Sequence, residues 1–142
     1  MSARKGLLLA LALWGGVSGS AWADTLTVAV AGVRGEQGAI RVAVCTEQEF
    51  LKPRCALVVS ADASPGTVTV VLPDVTPGVY AVQAYHDVNG NKTIDRSLLG
   101  IPNEGVGFSN GAPMVFGPPS FADAAVRVEG GSAATIVPLT YF

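Results

Sequence analysis

Residues 66–86 read GTVTVVLPDVTPGVYAVQAYH. Val68, Val70 and Leu72 alternate with Thr67, Thr69 and Val71. After Thr76-Pro77-Gly78, the residues Tyr80, Val82 and Ala84 alternate with Ala81, Gln83 and Tyr85. A period of two is that of a strand with one buried face. Proline and glycine between two such runs supply the backbone angles of a tight turn. The stretch therefore predicts two strands joined by a short turn, with no helix between them.

The same reading extends in both directions. Leu26, Val28 and Val30 alternate with Thr25, Thr27 and Ala29, and Ile40, Val42 and Val44 alternate with Arg41 and Ala43. Gly35-Glu36-Gln37-Gly38 is expected to join these two as a hairpin. Ala124 to Val128 and Ala134 to Tyr141 predict two late strands, linked by Glu129-Gly130-Gly131-Ser132. Val58 and Val59 add a further short strand, and Glu47 to Leu51 is the one segment that could form a helical turn. Seven to eight strands at short intervals predict an all-β antiparallel β-sandwich, immunoglobulin-like or transthyretin-like, with a small barrel as the alternative.

The first 23 residues read as a signal peptide. Arg4 and Lys5 precede an apolar stretch from Gly6 to Val17, and Ala21-Trp22-Ala23 is an A-x-A cleavage site. The stretch is short for a membrane span of about 20 residues. Residues 24–142 then form a single domain, expected to be exported to the periplasm or beyond the cell, with no transmembrane span. With Arg4 and Lys5 in the leader, seven basic residues remain against eleven acidic ones. Nucleic acid is thereby disfavoured as a partner, and no polybasic run addresses anionic lipid. In an oxidising compartment Cys45 and Cys55 are expected to pair. The short loop they close is worth about 2–3 kcal/mol by chain entropy.

Residues 86–110, HDVNGNKTIDRSLLGIPNEGVGFSN, concentrate the polar chemistry. With Asp87 as position one, Asn89, Asn91, Thr93 and Asp95 fall at three, five, seven and nine. Calcium loops use side-chain oxygens at one, three and five, a carbonyl at seven and often a water-bridged group at nine. Asp87, Asn89, Asn91, Thr93 and Asp95 are thus candidate calcium ligands, with Glu104 as a further one. Lys92 stands at position six, where glycine is usual, and Leu98 at twelve, where a carboxylate is usual. The alternative is a metal-free turn, since Asp and Asn bond their own backbone.

Tyr80, His86, Asp87, Asn89, Asn91 and Asp95 are followed by Gly100, Pro102, Glu104, Gly105, Gly107, Phe108, Ser109 and Asn110. This succession resembles the signature of the bacterial domain-of-unknown-function family 2141, and FADAAVRV resembles that family's next strand. The resemblance covers most of residues 24–142. It implies an exported β-sandwich and implies no reaction. The D-x-N-G-N-x-x-x-D run alone also resembles calcium loops of dockerins and of the B-type repeats of surface adhesins.

His86, the one histidine, beside Asp87 and with Glu104 nearby, is the weak candidate for acid–base catalysis in a small hydrolase or lyase. Ser109 in G-F-S-N lacks the G-x-S-x-G elbow. One histidine and the ending Leu139-Thr140-Tyr141-Phe142 do not match the hydroxyisourate hydrolases of transthyretin-like fold. The expectation is therefore a non-catalytic binding or structural module of the cell envelope. Gly100 to Asn110 is its interaction loop, pinned by Phe108, Met114, Phe116 and Phe121; the alternative for these four is an apolar binding patch. Its partner is an envelope protein, a peptide or a glycan.

Overall fold

The computed structural model describes Gly16 and residues 23–142. The expected leader lies, but for Gly16 and Ala23, outside the described residues. Eight strands occur among them: β1 Asp24–Val33, β2 Ala39–Cys45, β3 Leu57–Asp62, β4 Gly66–Val75, β5 Gly78–Asp87, β6 Val106–Phe108, β7 Ala125–Val128 and β8 Ser132–Pro138. A single helical turn, α1 Phe121–Ala124, precedes β7.

The strands form two sheets, one ordered β4-β1-β8 and one ordered β3-β2-β5-β6, with β7 also paired to β5. β6 and β7 divide one edge of β5 between them. β7 takes Gly78 to Ala81 and β6 takes Gln83 to Tyr85. The alternating residues explain the layering. Leu26, Val28 and Val30 from β1 and Val68, Val70 and Leu72 from β4 face Ile40, Val42 and Val44 from β2 and Val82 and Ala84 from β5. These apolar rows are buried from water between the two sheets, the expected sandwich core.

A second, smaller apolar layer covers the outer face of the five-stranded sheet. Cys45, Phe50, Ala81, Val106, Phe108 and Ala124 build it. Phe50 meets Phe108 and Phe121 edge-on, with ring centroids 5.9 and 5.8 Å apart. Cys45 and Cys55 are disulfide-bonded, their Cα atoms 4.9 Å apart. Inside that loop, the helical turn expected near Glu47 forms, with the Phe50 N–H donating to the Thr46 carbonyl (2.9 Å). Glu49 fastens it by accepting from the N–H groups of Thr46 (2.9 Å) and Ala56 (3.1 Å). The Thr46 N–H is the main cause holding the Glu49 carboxyl below its usual range.

Three expectations are corrected. β1 and β2 do not form a hairpin: they lie in different sheets, and Gly35–Gly38 carries the chain across the sandwich. Gly38 permits the crossing, because a Cβ there would overlap the carbonyl oxygen of Asp87. The expected all-β sandwich itself forms, its sheets antiparallel but for one pair, β1 and β8, which run parallel from Thr25↔Ser132 to Ala31↔Pro138. The last strand stops at Pro138, which has no N–H for a ladder. Phe116 pins nothing: it is 108 % exposed. The barrel alternative does not form, as the sheets stay separate. Where β4 passes to β5, the Tyr80 hydroxyl donates to the Thr76 carbonyl (2.6 Å), the bond of a tyrosine corner.

Candidate functional site

His86 and Asp87 end β5 and point to opposite faces of the sheet. Period-two alternation puts His86 with Val82 and Ala84 on the inner face, and Asp87 with Gln83 and Tyr85 on the outer. The two side chains therefore cannot act as a dyad. His86 is 3 % exposed, and both ring nitrogens are engaged. Nε2 lies 2.7 Å from the Gln37 carbonyl and Nδ1 lies 2.9 Å from the Tyr141 hydroxyl. The Arg34 N–H donates to that same hydroxyl (3.1 Å). A carbonyl only accepts, so Nε2 carries the proton and Nδ1 accepts from Tyr141. Tyr141 also covers Gly105, where a Cβ would strike the aromatic ring.

Asp87 is fully buried. Its Oδ2 accepts from Arg41 Nε and from the Lys92 N–H (3.0 Å). Strand register places Arg41 opposite Tyr85, so Arg41 and Asp87 are diagonal neighbours on one face, within reach of a long side chain. Burial pushes the Asp87 carboxyl up. The Arg41 bond and charge, with the Lys92 and Asn91 N–H groups, outweigh this and hold it below its ordinary value. Its other oxygen, Oδ1, is buried with no hydrogen-bond partner. Next to it, Tyr85 is raised above the usual phenol range, first by burial and then by the Asp87 charge.

The loop beyond Asp87 curls through successive Asx turns. Asn89 Oδ1 accepts from the Asn91 N–H (3.2 Å), and Asn91 Oδ1 accepts from the Thr93 N–H (3.1 Å). The Asn89 and Asn91 amides donate to Asp95 at 2.6 and 2.8 Å. Lys92, at position six, has a φ of 64°. This is the left-handed angle for which calcium loops keep glycine. Glu104 is 5 % exposed and ties the two halves of the segment together. Its Oε1 accepts from the Val88 N–H and its Oε2 from the Asp95 N–H, both at 3.2 Å. Of the expected ligands, Asn89, Asn91 and Asp95 come together, Asp87 and Glu104 each bind the loop backbone, and Thr93 contributes its N–H.

The expected interaction loop divides. Gly100 and Asn110 are exposed and Pro102 is half-buried, whereas Glu104 to Ser109 are buried. Val106 to Phe108 form β6, so this part is sheet. Ser109 is fully buried, its hydroxyl donating to the Ala124 carbonyl and accepting from the Val82 N–H. Asn110 Nδ2 donates to the Ala125 carbonyl (2.8 Å). Ile101 remains half-exposed and Leu99 is 86 % exposed. Sequence spacing did not reveal Arg41, Gln37 or Tyr141, which lie far from the signature in the chain. Among the described residues no helix is long and apolar enough to cross a membrane. No group of three or more His, Cys, Asp or Glu side chains able to hold a metal occurs among them.

No curated protein and no solved structure matched the chain. A family model described as uncharacterised protein conserved in bacteria, DUF2141, matches residues 28–136. That span runs from β1 into β8 and includes the whole His86–Asn110 segment, so the chain belongs to this family.

Proposed function

We propose that this chain is an exported, non-catalytic binding module of the bacterial envelope. One observation carries the reading: four chemically able side chains of its signature are buried and bonded to backbone. His86 holds Gln37, Ser109 holds Val82 and Ala124, Glu104 holds Val88 and Asp95, and Asp87 holds Lys92. Groups fixed in this way stiffen a scaffold and leave no free base or nucleophile at a substrate. The Cys45–Cys55 disulfide supports export. The loop's ordering supports display of a rigid surface.

Calcium is part of this proposal. Two features favour it: the orphaned buried Oδ1 of Asp87 and the left-handed Lys92 at position six. Asn89 and Asn91 turn their amide nitrogens to Asp95, so their oxygens would turn about to meet an ion. Asp87, Asn89, Asn91 and Asp95 would supply the oxygens and Thr93 its carbonyl. Arg41 already neutralises Asp87, and Glu104 already serves backbone, so the affinity belongs to the weak extracellular class, about 10⁻⁴–10⁻³ M.

The catalytic alternative has a direct test, because His86 is the one histidine. Diethyl pyrocarbonate should modify it only after unfolding, read by absorbance of the carbethoxy-imidazole; rapid reaction of the folded domain would overturn the non-catalytic reading. For calcium, melting is followed in EDTA and then in 10 mM Ca²⁺. A site of about 1 mM affinity gives roughly 1.4 kcal/mol of stabilisation, a rise of several degrees. No rise at that concentration removes calcium from the proposal.

A further inference from the structure

Acidic residues outnumber basic ones in this chain, eleven to nine. Yet five cations line one cavity: Arg41, Lys52, Arg54, Lys92 and Arg96. Among the described residues no Asp or Glu side chain lines it, though Asp87, Glu104 and Asp95 lie near enough to act on Tyr85 in its floor. The cavity, of about 650 Å³, lies on the outer face of the five-stranded sheet, with Ala43, Gln83 and Tyr85 in its floor. The disulfide loop supplies Lys52 and Arg54 to one wall. The calcium-like loop supplies Lys92 and Arg96 to the other. Arg41 is paired with Asp87, and Arg96 donates to the Gly100 carbonyl (3.0 Å). Lys52, Arg54 and Lys92 make no ion pair among the described residues.

A second cavity of about 630 Å³ adjoins it, with no Asp or Glu side chain in its lining among the described residues. Lys52, Gln83, Ile94, Arg96, Val106 and Phe108 line both, so the two are one groove. The second half is apolar. Leu51, Leu99, Ile101, Phe116 and Phe142 line it, and all five are large side chains left exposed to solvent. Apolar surface gathered in one concavity marks a binding site rather than scattered exposure. A cationic chamber opening into an apolar channel is complementary to one kind of molecule, with a negative head and a hydrocarbon tail.

We propose that this groove binds a single-chain anionic amphiphile, its head among Lys52, Arg54, Lys92 and Arg96 and its tail along Leu99, Ile101 and Phe116. The proposal deepens the binding-module reading and rests on it. Unpaired cations around a low-dielectric floor attract and hold an anion more strongly than the same groups in water. Removing the tail and the five apolar side chains from water together supplies the remaining affinity.

The test is calorimetric titration of the folded, disulfide-bonded domain with laurate kept below its micelle concentration. Saturable binding with one site is expected. The triple variant K52Q/R54Q/K92Q changes only surface groups and should weaken binding about tenfold or more. The variant L99S/F116S should do the same through the tail. Neutral dodecyl maltoside, also below its micelle concentration, should not bind. Acetate should bind far more weakly than laurate. Absence of laurate binding, or binding indifferent to both variants, overturns the proposal. So does binding to phosphatidylglycerol vesicles without binding to monomeric laurate, which would make the groove a membrane-docking face. These failures leave the protection of His86 untouched and so are distinct from failure of the non-catalytic reading.

Discussion

Asp87 shows how one side chain can be legible by type and hidden by role. Its place in the D-x-N-x-N run was plain, and so was its alternation with His86 along VYAVQAYHD. That alternation already separates the two residues, since neighbours on a strand face opposite ways. What spacing could not supply was Arg41, which reaches Asp87 through the register of β2 on β5, or Tyr141, which reaches His86 from the far end of the chain. Long-range partners of this kind come from sheet pairing, which single-sequence periodicity does not encode. Because the folded Asp87 carboxyl sits below its ordinary value, its contribution is complete above the unfolded range near 3.9 and is lost as pH falls through and below it. In EDTA, Asp87→Asn should cost about 2–3 kcal/mol at pH 7. Its melting temperature should then fall less steeply than that of wild type between pH 5 and pH 3. Equal slopes would rule out Asp87 as a titrating contributor.

At the scale of elements, period-two alternation located most of the strands because each has one face on an apolar core. It could not assign strands to sheets. Gly35–Gly38 has the composition of a hairpin turn, yet it crosses the sandwich, since β1 finds its partners in β4 and β8. β6 escaped notice for a different reason: three residues with Gly107 at the centre carry no alternation, and all three are buried. The disulfide loop was readable from two cysteines and the expectation of an oxidising compartment. The structure adds that this loop builds a wall of the groove and is held by Glu49. Replacing both cysteines with serine should lower stability by about 2–3 kcal/mol, measured by denaturant midpoint. It should also loosen the wall, seen as faster amide exchange at Lys52 and Ala56 than at β1. Unchanged exchange there would show that Glu49 alone holds the loop.

Over the whole molecule, the groove is the feature least visible in the chain. Its cations come from positions 41, 52, 54, 92 and 96. No window of sequence contains a basic run, and the acidic balance of the chain conceals the patch. The parallel pairing of the first and last strands has a mechanical meaning as well. β1 begins beside the start of β8, and β8 ends beside Ala31. The described domain therefore receives its two chain ends at opposite ends of one ladder. Tension along the chain loads all seven pairs from Thr25↔Ser132 to Ala31↔Pro138 at once, in shear, where a hairpin would peel one pair at a time. Pulled in a force-extension measurement, the domain should yield in a single abrupt rupture; gradual lengthening at low force would contradict this. A protein held between two attachments would then behave as a stiff link that gives way only as a unit.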